Sequence, residues 1–257
     1  MALSNLSAVF LDMGRLEESV EVSRTVRRMP HRTQLGIKLT SFALALARLG
    51  RYSEALHLLR VRLQAAVERR EMIGLGISLM HIAELRVNMS PAAVPIAWRL
   101  LHAALRVHRG EGYRRGEAEI LNGMGVLHRL QHHYPQAVEA HRRALDLVVH
   151  CNERRYEAVF LNDLAVTVRQ SGDRAEAERQ HRRALWLADS IHHPFEQGRA
   201  HAGLAECLAA AEPTEARRHA EQALLIFRSM GVPERFGVER RLAELTTADQ
   251  SSQNAIF

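Results

Sequence analysis

The sequence predicts an all-α chain of six helical hairpins closed by a capping helix, and three observations carry that prediction. The chain repeats itself: residues 117–150, shifted by forty, land on 157–190 with thirteen of thirty-four positions identical. The shared residues are of a kind that packs helices. Glu117, Ala118, Leu121, Asn122, Val126 and Arg129 return at 157, 158, 161, 162, 166 and 169, and Ala137, His141, Arg142, Arg143, Ala144, Leu145 and Leu147 also return forty residues on. Helix breakers fall between the paired segments at a matching spacing. A self-similar period of this length means units that cannot bury their apolar faces alone and so stack on their neighbours.

Within a unit the pattern is a large residue, a small one four later, a second small one twelve beyond that, and a third after seven more. Small residues mark where two helices touch, because a short side chain lets the backbones approach. Traced along the chain, the first small position falls at Ser7, Ala43, Ala83, Gly125, Ala165 and Ala205. The second falls at Ser19, Ala55, Ala97, Ala137, Ala177 and Ala216, and the third at Val26, Arg62, Ala104, Ala144, Ala184 and Ala223. The units are expected over residues 1–32, 33–71, 72–113, 114–153, 154–193 and 194–232, the first two being degenerate at the third position.

Turn signals within the hairpins are Met13-Gly14-Arg15, Leu49-Gly50-Arg51-Tyr52, Asn88-Met89-Ser90-Pro91, His132-His133-Tyr134-Pro135, Ser171-Gly172-Asp173 and Glu212-Pro213. Pro91, Pro135 and Pro213 suit a first helical turn, where no needed backbone donor is lost. After the sixth unit, Gly231 fits a helix C-terminus and Pro233-Glu234 a helix start. Val238, Leu242 and Leu245 then share one face of a capping helix expected over 233–246, and the polar stretch 247–257 is expected to be a flexible tail.

This pattern resembles the tetratricopeptide repeat, in a long variant of about forty residues, over roughly residues 1–230, with departures at Arg62, His128 and Val168. The resemblance implies a right-handed superhelix. A narrower resemblance lies at the end, in Ala223-Leu224-Leu225-Ile226-Phe227, Met230-Gly231-Val232-Pro233-Glu234 and Arg240-Arg241-Leu242-Ala243-Glu244-Leu245. It is similar to the C-terminus of large actinobacterial transcriptional regulators of the antibiotic-regulatory-protein type. Those join a DNA-binding region, a nucleotide-binding switch domain and a tetratricopeptide sensor, and the resemblance implies that the sensor alone is present here.

Composition narrows the functions open to the chain. A solenoid stays one domain at any length, so 257 residues do not require two. The net charge of +6 comes from 35 basic and 29 acidic residues scattered over most helices, read as a solvated face first and a binder of acidic partners second. The single lysine, Lys38, sits in Gly36-Ile37-Lys38-Leu39, which lacks the glycine-rich context of a phosphate-cradling loop. Cys151 and Cys207 are too few for a disulfide framework and point to a reducing cytoplasm. No basic leader with a cleavage pattern and no long apolar run are seen, so neither a signal peptide nor a membrane contact is expected.

Fifteen histidines invite a metal site. His128 and His132 are four apart with His133 adjacent, but no acid or cysteine lies at a matching spacing and the pair falls in a predicted turn, so no metal or other cofactor is expected. His141 and His181, beside Arg142-Arg143 and Arg182-Arg183, read either as a basic outer strip or as bulky packing residues, and packing is the preferred reading. No nucleophile, base and orienting group can be assembled, so the expected function is binding, not catalysis.

The expected binding surface lies on the first helix of each unit. Leu121, Met124, Gly125 and His128 face the paired helix, so Asn122, Val126 and Arg129, spaced four then three, face another way, and Asn162, Val166 and Arg169 repeat that stripe. In the superhelix implied by the resemblance the stripe lines the concave groove. Asparagine can hold an extended peptide backbone and arginine offers a fork for carboxylate or phosphate. The competing reading is that Asn122 and Asn162 bond between neighbouring helices. Expected partners are a protein or peptide, including other domains of the same regulator or the client of a stand-alone scaffold, or a small-molecule signal. Direct nucleic-acid contact is the weaker reading, because the arginine strips lack interleaved aromatics. The first unit begins at Met1 with no polar helix ahead of it, so its open stacking face is expected to pair with missing sequence or with a second copy as a homo-oligomer.

Overall fold

The computed structural model describes residues 2–28 and 35–254, with side chains described over 6–26 and 39–247. These residues form thirteen α-helices and no strand. They are α1 (Ala2–Asp12), α2 (Leu16–Arg28), α3 (Leu35–Arg48), α4 (Tyr52–Arg69), α5 (Met72–Met89), α6 (Val94–Gly110), α7 (Arg114–Leu130), α8 (Tyr134–His150), α9 (Arg154–Gln170), α10 (Arg174–Ser190), α11 (Pro194–Leu208), α12 (Pro213–Met230) and α13 (Glu234–Asn254). A 3-10 turn, Pro91–Ala93, leads into α6.

Two compact units divide the chain, Met1–Glu153 and Arg154–Phe257. Repeats touch only their neighbours, so such a division needs no linker. In the first unit α1–α2, α3–α4, α5–α6 and α7–α8 are hairpins, and the first helices α1, α3, α5 and α7 also touch in succession. In the second, α9–α10 and α11–α12 are hairpins, α9 also meets α11, and α13 covers α12.

Burial follows the small-residue template. Ala55, Ala97, Ala137, Ala144, Ala177, Ala184, Ala216 and Ala223 are wholly buried, and so are Ala104 and Ala165. The first hairpin makes the same contact with hydroxyls: Ser7 Oγ lies 2.6 Å from Ser23 Oγ and 3.1 Å from Ser19 Oγ. Arg62, which departs from the template, is also buried, and the next first helix accommodates it with Gly74, where an added Cβ would lie 2.1 Å from the guanidinium.

Most joints close in one way. A left-handed residue, glycine at 14, 50, 172, 112 and 231 and otherwise Arg70, His132, Asn152 or His192, lets the next N–H reach the carbonyl five residues back. Examples are Arg51 to Leu46 at 2.8 Å and His133 to His128 at 2.9 Å. This bonds the orphan carbonyls of the helix end. The closing helix is longer than expected: α13 continues past 246 to Asn254, taking in most of the stretch read as a tail, while Met1 and residues 255–257 lie outside the described residues.

Candidate partner-binding face

The six residues of the expected stripe separate into two kinds. Val126 and Arg129 on α7, and Val166 and Arg169 on α9, are half-buried. Asn122 and Asn162 are buried, which corrects the expectation that their side chains lie off the packing face. Within each unit a first helix packs against its own partner and also against a neighbouring hairpin, α7 against α6 and α5 and α9 against α11, so its buried arc is wider than a two-helix wheel allows.

Both asparagines bond a histidine nineteen residues on. The His141 Nδ1–H donates to Asn122 Oδ1 over 2.7 Å, and the His181 Nδ1–H to Asn162 Oδ1 over 2.9 Å. An amide oxygen can only accept, which fixes both rings as the Nδ1–H tautomer. The rings are fully buried, so histidine here is a packing residue and not part of an outer basic strip. A Cβ on Gly125 would lie 2.6 Å from the His141 ring, and one on Gly203 2.1 Å from His181 Nε2. Burial above all, then Arg199 and Arg169, pushes His181 down to about 3.

Asn162 continues the network into the next hairpin. Its Nδ2 donates to the carbonyl oxygen of Glu196 at 3.1 Å and to Glu196 Oε2 at 2.9 Å. Glu196 is fully buried and also accepts from Arg199 at 3.0 Å, while the other arm of Arg199 grips Asp163. Against the opposing effect of burial, Glu196 and Asp163 hold the Arg199 guanidinium above its ordinary range. Sequence reasoning missed this cluster because carboxylates were read as solvent-facing. The available signal was Glu196 in the first turn of α11, a carboxylate at the place held by Gly116 and Tyr156 in the two preceding units.

The arginines of this face in the second unit are already paired. Arg169 lies 3.9 Å from Glu206, which lies 3.4 Å from Arg241. On the outer side Arg182 meets Glu178 at 2.8 Å and Arg183 meets Glu157 at 2.6 Å. Exposed pairs of this kind add little stability. The surface histidines do not converge: His128 turns edge-on to Trp98, and His132 bonds Tyr134 at 3.0 Å. Among the described residues no group of three histidine, cysteine or acidic side chains is placed to hold a metal ion, and no helix is long and apolar enough to cross a membrane.

Residues 158–185 match the tetratricopeptide repeat family. No curated protein sequence matches the chain. Solved structures resemble it over nearly its whole length. A Rap protein complexed with competence and sporulation factor superposes with a TM-score of 0.70 at 11% identity, covering 96% of this chain and 74% of that one. NprR in complex with its cognate peptide NprX gives 0.69 at 16%, covering 96% and 71%. A signal-transduction ATPase with numerous domains from Pyrococcus horikoshii, which carries a tetratricopeptide repeat sensor, gives 0.58 at 15%. This chain covers 96% of itself but only 38% of that ATPase. At these identities the likeness shows the fold alone, an all-α array of helical-hairpin repeats.

Proposed function

We propose that the chain is a binding domain that holds a peptide or protein segment, or a small ligand, against the first-helix faces of its repeats, and that it is the sensor part of a bacterial transcriptional regulator. One observation carries the binding reading: Val126 with Arg129 and Val166 with Arg169 recur at equivalent half-buried positions. In the second unit the recurring arginine is already neutralised by Glu206. Such a face offers apolar side-chain contact in a setting of little net charge, which favours a partner with apolar side chains over an acidic one. The fold that it shares with NprR, solved with its cognate peptide, supports the peptide reading.

The regulator reading rests on the C-terminal resemblance and on the likeness to an ATPase whose repeat array is a sensor. The repeats act without a cofactor and without catalysis.

The test is capture from the source cell on the immobilised chain, followed by Val126→Glu with Val166→Glu. The variant should keep its helix content and lose at least tenfold in capture, and raising the salt should change wild-type capture little. Normal capture by the variant, or a steep salt dependence, would move the binding surface elsewhere.

A further inference from the structure

We propose that the hairpin α11–α12 is an acid-sensitive element, held shut by a hydrogen bond between two imidazoles and opened when both take a proton. His201 on α11 and His219 on α12 bring their Nδ1 atoms to 2.8 Å. The ring centroids are 5.0 Å apart, close to that contact plus the two ring radii, so the nitrogens meet head-on as a donor and an acceptor do. A tetrahedral metal bound by both would hold the two nitrogens about 3.3 Å apart, wider than the 2.8 Å found here. The contact is therefore built around a proton.

One Nδ1 must carry hydrogen while the other is bare. A first added proton leaves this arrangement intact. A second sets two N–H groups and two positive charges face to face at 2.8 Å, and the contact cannot survive it. His219 is buried and its Nε2 has no hydrogen-bond partner, so the closed hairpin offers the extra charge no compensation there.

The charged groups facing the pair come from two helices. From α10, Asp189 faces His201 and Arg182 faces His219; from α12, Arg218 faces both and Glu215 faces His219. Arg218 pairs with Glu215 and Arg182 with Glu178, each at 2.8 Å, which leaves Asp189 as the acid that favours a proton on His201. Burial is the main cause that lowers both rings, and His219 is pushed down to about 4. A lowered folded value means that the open form takes up protons that the closed form refuses. The closed hairpin is favoured above the ordinary histidine value and loses that advantage as pH falls toward 4. The fourth hairpin shows the arrangement without titratable groups: Leu121 precedes Gly125 as His201 precedes Ala205, and Ala140 follows Ala137 as His219 follows Ala216.

The experiment is hydrogen exchange on the full chain at pH 7.5 and pH 5.0, corrected for intrinsic rates, with α3–α4 as the internal reference. Refusal of one proton by a group of ordinary value about 6.5 favours opening by about 30-fold at pH 5.0. The α11–α12 amides should gain at least that much over the reference, and His201→Leu with His219→Ala, which installs the residues of the fourth hairpin, should cut the gain by about 30-fold, leaving only what His181 against Gly203 contributes. A wild-type gain no larger than that of α3–α4 overturns the proposal, as does an undiminished gain in the variant. Should the variant fold poorly, an NMR titration of the wild-type rings decides: both rings charged while the α11–α12 amides stay protected would also overturn it.

Discussion

Truncating Asn162 to alanine removes a side chain on which two helices lean. The His181 Nδ1–H loses its acceptor, and the carboxylate and backbone carbonyl of Glu196 lose the amide that donates to both. All of this is buried, so water cannot replace the lost partner. Glu196 keeps Arg199 at 3.0 Å, which limits the damage on that side. Each buried group left without its partner costs about 1–3 kcal/mol, so the imidazole N–H and the carboxylate together place Asn162→Ala at about 2–6 kcal/mol. Asn122→Ala, which takes the acceptor from His141, should cost about 1–3 kcal/mol. A repeat array need not unfold in one step, so urea denaturation should be read together with hydrogen exchange of the α9–α11 amides. If Asn162→Ala stays within about 0.5 kcal/mol of wild type, the range of an ordinary surface change, and yet abolishes partner capture, then the side chain serves a ligand and the network does not exist in solution.

Other outcomes follow from the same packing. Because His181 is held near 3 when folded, its stabilising contribution is present above the ordinary value of about 6.5 and lost as pH falls toward 3, by about 2 kcal/mol at pH 5. His181→Gln, which keeps a donor and cannot titrate, should flatten urea stability between pH 7 and pH 5 by that amount, and an unchanged slope would refute the assignment. Gly203→Ala, which would place a methyl 2.1 Å from the His181 ring, should lower the melting temperature. Gly123→Ala, whose nearest neighbour would be Leu101 at 3.4 Å, should raise it through helix propensity of about 0.5–1 kcal/mol. Ala144→Leu and Ala184→Leu should each lose about 1–3 kcal/mol by overpacking a wholly buried contact, measured by denaturation, and neutral results would mean that the hairpins are looser than their burial implies.

Much of the fold could be read from residue size alone. Small side chains at fixed spacing leave few ways to pair helices, and the alanines so identified are buried. The left-handed turn residues were partly legible, since Gly14, Gly50 and Gly172 announce themselves, whereas His132, Asn152 and His192 do the same work without an obvious signal. The candidate site was harder. A helical wheel gives the direction of Asn162 but not the width of the buried arc, which depends on the next hairpin, so a side chain one step off the packing stripe was read as open. Glu196 and Arg199 were invisible for the same reason: their burial is created by Asp163 and Asn162, more than thirty residues away. A usable signal did exist in the pairing of large residues with glycines on a neighbouring helix, as in Arg62 with Gly74, His181 with Gly203 and Phe227 with Gly198.

Alanine contacts are nearly indifferent to sliding. One helix moved a full turn of about 5.4 Å along another still finds small residues and still packs. The bonds from Asn162 to His181 and to Glu196 have no such latitude, since a slip of one turn would strand an amide, an imidazole N–H and a carboxylate in an apolar layer. The asparagine therefore acts as a key that admits one registry of α9, α10 and α11 and rejects the neighbouring ones, in the way that a buried polar residue sets alignment in coiled coils. An array assembled from interchangeable parts thereby gains an absolute scale along each helix.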